Sequence, residues 1–296
     1  MANRLPTQTR VLALTMLVEG SSMRSVSRTL GISINTVSKL LIDAGRVCAE
    51  YHDKTVRNVR AGAVQCDEIW SFTYAKERNA ARATGAWDKA GDTWTWTGID
   101  RESKLIISWL IGGRDAVYAL EFMDDLQARL AHRVQLTTDG LGVYLEAVDE
   151  AFGGLIDYAQ VVKLYGPDPE DPKGRRYSPP KCVRIREQAI QGTPNMDAAS
   201  TSHVERHNLT MRMSMRRFTR LTNAFSKKIE NHAHAVAFYF VYYNFCRPHK
   251  SLKGKTPAQA AGLARYKRDI RWIVEMIDKA APKPKRGPYK AVAEQK

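Results

Sequence analysis

Three acidic residues stand out by their surroundings. Asp67 lies inside an apolar stretch, VQCDEIW; Asp139 follows VQLTT and precedes a glycine; Glu205 lies in the run TSHVERHN, at the start of an expected helix. Aspartate is depleted in strand-like stretches, and a charge between Cys66 and Ile69 needs a partner or a metal. Three carboxylates without a cluster of Cys or His suit a hard cation with oxygen ligands, Mg²⁺ with Mn²⁺ as substitute, better than zinc. Two such ions about 3.5–4 Å apart stabilise the attacking and leaving oxygens of an in-line displacement at phosphorus. The chemistry implied is metal-dependent cleavage or transfer of a phosphodiester. Each acid also has a plainer role. Glu68 rivals Asp67, although strand alternation sends it to the opposite face. Asp139 can simply start an Asp-Gly turn. Glu205 can complete a capping box with Ser202. Asp100 is a further acid, read here as a turn residue before Arg101 and Glu102.

These residues need a scaffold that brings them together. Apolar residues recur with period 2 over residues 63–74, 93–99, 105–111, 134–138 and 157–164, which predicts five strands. Helical spacing is expected over 116–131 and 141–152, then over 204–217, 224–245, 257–262 and 267–280. The order β-β-β-α-β-α-β predicts an α/β fold with a mixed sheet flanked by helices, the ribonuclease H-like arrangement. In that arrangement the first and fourth strands are neighbours, so Asp67 and Asp139 approach each other. A helix after the fifth strand lays Glu205 across the same point. Residues 76–92 are expected to form a loop. Residues 165–201 are read as a long basic loop or insertion, rich in Pro and Gly, and 282–296 as a disordered basic tail.

The N-terminal region has a different character. Helices are expected over 10–18, 23–30 and 34–44, with Gly31 permitting a sharp turn and Gly45 ending the third. The segment RSVSRTLGISINTVSKLLIDAG is laid out as an all-α helix-turn-helix. Val26, Leu30, Ile32, Val37, Leu40 and Leu41 face inward. Ser33, Asn35, Thr36, Ser38 and Lys39 remain on or near the outer face, where they suit phosphate and base-edge contacts. The expected division is 1–50 helix-turn-helix, 51–62 basic linker, 63–265 catalytic domain with the insertion 165–201, and 266–296 C-terminal helix and basic tail.

Charge agrees with a nucleic-acid partner. The 296 residues carry 46 Lys and Arg against 31 Asp and Glu, a net charge of +15, and such an excess favours a polyanion. Arg212 lies nearly two helical turns after Glu205, so the two share a face. With Arg206, Arg216, Arg217 and Arg220 it forms a basic strip suited to backbone phosphates. The four cysteines lie far apart, with no CxxC pair, which argues against a zinc site or a disulfide framework. His203, His207, His232 and His234 match no zinc spacing and are expected to be structural. The aromatic residues at 238–245 encircle more than one helix face, as in a buried helix. No apolar stretch reaches the about 20 residues a membrane helix needs. No membrane partner and a cytoplasmic setting are expected.

With these residues in view, the chain resembles the DDE transposases of bacterial insertion sequences, most closely the insertion-sequence-one type. The matching stretches are QCDEIWSF, VQLTTDG, HVERHNLTMRMSMRRFTRLTNAFSKK, YYNFCRPHKSL and TPAQAAGL. The resemblance implies a ribonuclease H-like catalytic fold and an Mg²⁺-dependent triad at Asp67, Asp139 and Glu205, with Arg212 as the basic residue after the glutamate. It implies double-stranded DNA as partner, both element ends and target. It further implies that the helix-turn-helix binds terminal inverted repeats, that the protein works as a homodimer or higher oligomer on DNA, and that it acts at the bacterial nucleoid. Two rivals remain: a nuclease or recombinase on the same fold, and a helix-turn-helix repressor without catalysis.

Overall fold

The computed structural model describes residues 4–83, 85, 90–166, 181–219 and 223–281. Its centre is a six-stranded mixed sheet of order β3-β2-β1-β4-β5-β6. The strands are β1 (Ala63–Thr73), β2 (Gly91–Asp100), β3 (Ile106–Gly112), β4 (Gln135–Asp139), β5 (Asp157–Gly166) and β6 (Lys181–Gln191). The first three form an antiparallel meander, β4 and β5 run parallel to β1, and β6 returns antiparallel on β5. The five expected strands are all present in the expected order, with β1 and β4 side by side.

Among the described residues ten α-helices accompany the sheet: α1 (Thr7–Val18), α2 (Met23–Leu30), α3 (Ile34–Thr55), α4 (Glu77–Ala80), α5 (Ala116–Arg129), α6 (Val143–Phe152), α7 (Ser202–Ser214), α8 (Ile229–Val241), α9 (Pro257–Ala260) and α10 (Ile270–Ala280). Local chemistry sets their ends. Ser22 caps α2 by accepting from the Ser25 amide at 3.1 Å, and Gly31 stops it in the left-handed region at φ 63°. Asp115 accepts from the Val117 and Tyr118 amides at the start of α5. Thr256 and Gln259 form a capping box on α9. Asp100 accepts from the Ser103 amide at 2.9 Å, the turn role expected for it.

One apolar core joins all of this, from Ala13 and Leu14 through Ile69 and Trp96 to Val274 and Ile277. On one face of the sheet Trp96 meets Phe122 of α5 and Tyr144 of α6. Elsewhere Trp109 of β3 packs on His52 of α3 and Phe240 of α8. The aromatic run after residue 238 is core, with Phe238, Tyr239, Phe240, Tyr243 and Phe245 all buried. Among the described residues no helix is long and apolar enough to cross a membrane.

The edge strand β3 is closed by side chains. A π-helical turn, Tyr242–Cys246, follows α8. From it Asn244 accepts from the Ile106 amide at 2.9 Å and donates to the Ile106 carbonyl at 2.8 Å. His52 Nε2 lies 3.2 Å from the same carbonyl. An amide side chain matches a peptide group in donors and acceptors, so it serves the backbone of Ile106 where no further strand pairs among the described residues.

Several expectations need correction. The third helix does not stop at Gly45; it runs on to Thr55, across the expected boundary at residue 50 and into the expected linker. Gly45 is there for contact: a Cβ on it would lie 2.2 Å from the His234 carbonyl oxygen of α8. The stretch 165–201 is not one long loop, because β5 continues to Gly166 and residues 181–191 form β6. The Pro-rich segment 167–180 lies outside the described residues, as do Arg220 and the tail 282–296. The loop expected over 76–92 contains α4. The helix expected over 224–245 starts at Ile229 and gives way to the π turn at Tyr242. The helix expected over 204–217 ends at Ser214, and a 3₁₀ turn, Arg216–Phe218, follows.

Candidate metal centre

The site arises from a mismatch in strand length. β1 has 11 residues and β4 has five, and they pair only through Ala63, Val64 and Gln65. Beyond Asp139 nothing from β4 flanks β1, which leaves a notch at the carboxyl end of β4. Asp67 and Glu68 both reach it, from opposite faces of the strand. Carboxylate oxygens of Asp67, Glu68 and Asp139 all lie within 4.8 Å of one another.

Each acid is held by its own element. Helix α7 is seated on β1 by Gln65, whose side-chain oxygen accepts from the His203 and Val204 amides at 2.8 and 3.2 Å. One turn further along α7, Asn208 donates to Asp67 Oδ2 at 2.8 Å. On the opposite face Glu68 accepts from the buried Tyr144 hydroxyl of α6 and from Arg114 Nε at 3.1 Å. The Arg114 guanidinium in turn lies 4.6 Å from the Trp94 ring centre. Asp139 accepts from the Leu141 amide at 2.9 Å as the chain turns into α6.

The acids disturb one another. Burial, then the charges of Glu68 and Asp139, push the Asp67 carboxyl up to about 7, and Glu205 adds to the effect. Burial also raises Glu68 to about 7; the Tyr144 hydrogen bond works against this and Asp139 reinforces it. Arg114 offsets the charge of Glu68, and a cation between the three acids would favour their ionised forms. The donors are all oxygen, which fits a hard divalent ion rather than zinc.

Glu205 stands apart from this cluster. It lies in the first turn of α7, exposed, ion-paired with Lys163 of β5 and accepting from Thr201 Oγ1 at 2.5 Å. The expected capping box with Ser202 does not form; Thr201 is the N-cap, and its hydroxyl is spent on Glu205. Glu205 precedes Asn208 by three residues, a rise of about 4.5 Å on one helix face, so it flanks the contact Asn208 makes with Asp67.

The basic residues separate into two groups. Arg212 and Arg216 are exposed. Arg212 lines a cleft of about 350 Å³ with Trp70, Lys76, Trp94 and Phe218. Arg217, expected on the same strip, turns inward and donates to Ser226 Oγ at 2.7 Å and to the Asn231 carbonyl. Burial lowers its guanidinium to about 10, and its donors serve the interior rather than a phosphate. At the start of α3, Ser33, Asn35 and Lys39 are exposed and Thr36 and Ser38 half-buried. Ser33 accepts from the Asn35 amide at 3.3 Å, and Lys39 pairs with Asp43 at 2.8 Å. Val26, Val37, Leu40 and Leu41 lie beneath them in the core.

Sequence reasoning placed Glu68 on the far face and missed its approach to the cluster. It also missed Asn208, Tyr144 and Arg114 as partners of the acids. Only Asn208 carried a signal, its helical spacing from Glu205.

No protein-family model matches the chain, and no curated protein matches it either. Among solved structures the chain is similar to one in the simian T-cell lymphotropic virus intasome in complex with PP2A regulatory subunit B56 gamma. That similarity has 15% identity, 79% of this chain covered and a TM-score of 0.38. For the Mos1 strand transfer complex the figures are 14%, 53% and 0.23. For the piggyBac transposase synaptic complex with hairpin DNA they are 10%, 94% and 0.44. The aligned region spans 61%, 59% and 73% of those three chains respectively.

Proposed function

We propose that the chain is a DNA transposase with a ribonuclease H-like catalytic fold, using Asp67, Asp139 and Glu205 as its metal-binding triad. The observation that carries this reading is the acid notch, where three carboxylates from β1 and β4 converge within 4.8 Å and, among the described residues, Arg114 on Glu68 is the one ion pair they make. Mg²⁺, with Mn²⁺ as substitute and two ions in all, supplies charge stabilisation for the attacking and leaving oxygens of phosphodiester cleavage and strand transfer. The chain's own residues orient the acids: Gln65 seats α7, Asn208 fixes one oxygen of Asp67, and the Leu141 amide fixes Asp139. Glu205 is preferred to Glu68 as the third ligand. The Glu68 side chain is 0% exposed and already paired with Arg114, whereas that of Glu205 is 42% exposed, held by Lys163 and the Thr201 hydroxyl. Arg212 and Arg216 bind backbone phosphate beside the acids.

The N-terminal helices act as a helix-turn-helix that binds the terminal inverted repeats of an insertion sequence. The capped start of α3 with Ser33, Asn35, Thr36, Ser38 and Lys39 supports this, as does the net charge of +15. Pairing two DNA ends calls for a homodimer or higher oligomer. The setting proposed is the bacterial cytoplasm, on the chromosome.

A strand-transfer assay tests the proposal. Purified protein meets a labelled duplex from the repeats flanking its gene and a plasmid target, with Mg²⁺ or EDTA. Joined product is expected only with the metal, and Asp139→Asn is expected to reduce it about 10³-fold, several kcal/mol of lost stabilisation. Nicking without joining points to a nuclease instead. Tight binding to the repeat with no chemistry points to a repressor.

A further inference from the structure

The cleft beside the acid notch has a distinctive lining. Trp70 and Trp94 stand directly opposite each other on β1 and β2, and both remain half-buried. Each has a cation against its ring: Lys76 Nζ lies 5.6 Å from the Trp70 ring centre, and Arg114 lies 4.6 Å from that of Trp94. Lys76 pairs with no carboxylate among the described residues, and Arg212 completes a positive rim. Simple core packing accounts for the rings but not for cations gathered around half-exposed indoles. Aromatic faces with interleaved cations are the means by which proteins hold single-stranded nucleic acid. A volume of about 350 Å³ falls at the small end of ligand pockets, roughly 300–1,000 Å³.

Position links the cleft to the chemistry. Trp70 shares its face of β1 with Glu68, and it follows Asp67, on the other face, by three strand residues, about 10 Å along the strand. That is the span of about three stacked nucleotides, or fewer once a strand leaves its stack. Arg114 joins the two places directly, holding Glu68 with its Nε while stacking on Trp94.

We propose that this cleft takes one unstacked nucleobase of the DNA strand whose phosphate lies at Asp67 and Asp139. The base packs against Trp70 and Trp94, while Lys76 and Arg212 hold the flanking phosphates. The inference rests on the DNA-processing role proposed above. It adds a reason for the strand to open there, because a base can enter such a cleft only after leaving the duplex.

The test uses the full chain in EDTA, so that binding is read without chemistry. The probe is a duplex with a short single-stranded 3′ tail, carrying 2-aminopurine or an abasic residue at each tail position in turn. With wild-type protein, 2-aminopurine emission is expected to be quenched at one position, and an abasic residue there to weaken binding about tenfold. Trp70→Leu and Trp94→Leu are each expected to lose about tenfold in affinity for the intact tail. Their affinity for the duplex abasic at that position should equal the wild-type value. Variants that weaken both DNAs equally, or neither, overturn the cleft assignment, as does a wild-type scan without position dependence. Should the variants not fold, the wild-type scan alone decides. Failure here with Mg²⁺-dependent joining intact removes the cleft and leaves the transposase. Absence of binding to any DNA removes both.

Discussion

Two places on the same sheet bury polar groups and treat them in opposite ways. At the β3 edge, Asn244 satisfies both backbone groups of Ile106 and His52 adds to one of them. At the notch between β1 and β4, carboxylates crowd one another until two of them rise to about 7. The first arrangement is at rest. The second crowds three acids together with one ion pair, Arg114 on Glu68. Crowded charge therefore separates the notch from the edge more clearly than burial does, since both hold a buried polar side chain, Glu68 and Asn244.

The largest effect that would sharpen the contrast belongs to the edge. Asn244→Ala leaves the amide of Ile106 without its partner and the carbonyl with His52 alone, and should cost about 1–3 kcal/mol of stability, read as a lower urea midpoint. Unchanged stability would mean that the edge is held by packing alone. At the notch the two rival glutamates should separate. Glu205→Gln is expected to reduce strand joining about a hundredfold, roughly 2.7 kcal/mol, while Glu68→Gln stays within about tenfold of wild type. The reverse order in the joining assay would make Glu68 the third ligand. The smallest effect is the pH dependence of the metal-free protein. From about pH 4, where free carboxyls ionise, to about 7, the folded chain keeps protons on Asp67 and Glu68 that the unfolded chain has released. Stability should therefore fall as pH rises through that window and level off above about 7. Mg²⁺ should raise the melting temperature more at about pH 8 than at about pH 5. A flat profile in EDTA would show the acids to be at rest as well.

Much of this was legible in the chain. Strand periodicity gave five strands in chain order, and the ribonuclease H-like reading of that order put Asp67 beside Asp139. What escaped had physical causes. Gly45 reads as a helix stop because glycine usually ends helices, yet here it makes room for α8. The dense Pro and Gly of 165–180 hid β6, whose own residues alternate well. Alternation rightly sends Glu68 to the other face of β1, but only the shortness of β4 lets both faces open on one notch. Asn244 left no signal, because an asparagine that replaces a missing strand looks like any other. Arg217 looked like a surface cation until the 3₁₀ turn after α7 directed it inward.

The length of α3 has one more consequence. Its 22 residues, Ile34–Thr55, span about 33 Å at 1.5 Å per residue, with the exposed Asn35 near one end and the buried Cys48 and His52 toward the other. The helix lies against α8 at Gly45, and its far arm packs beside the sheet, His52 on Trp109. On the proposed reading, a duplex bound at its tip would meet the acids at an angle set by this packing, so lengthening α3 by one residue would turn that tip by about 100°.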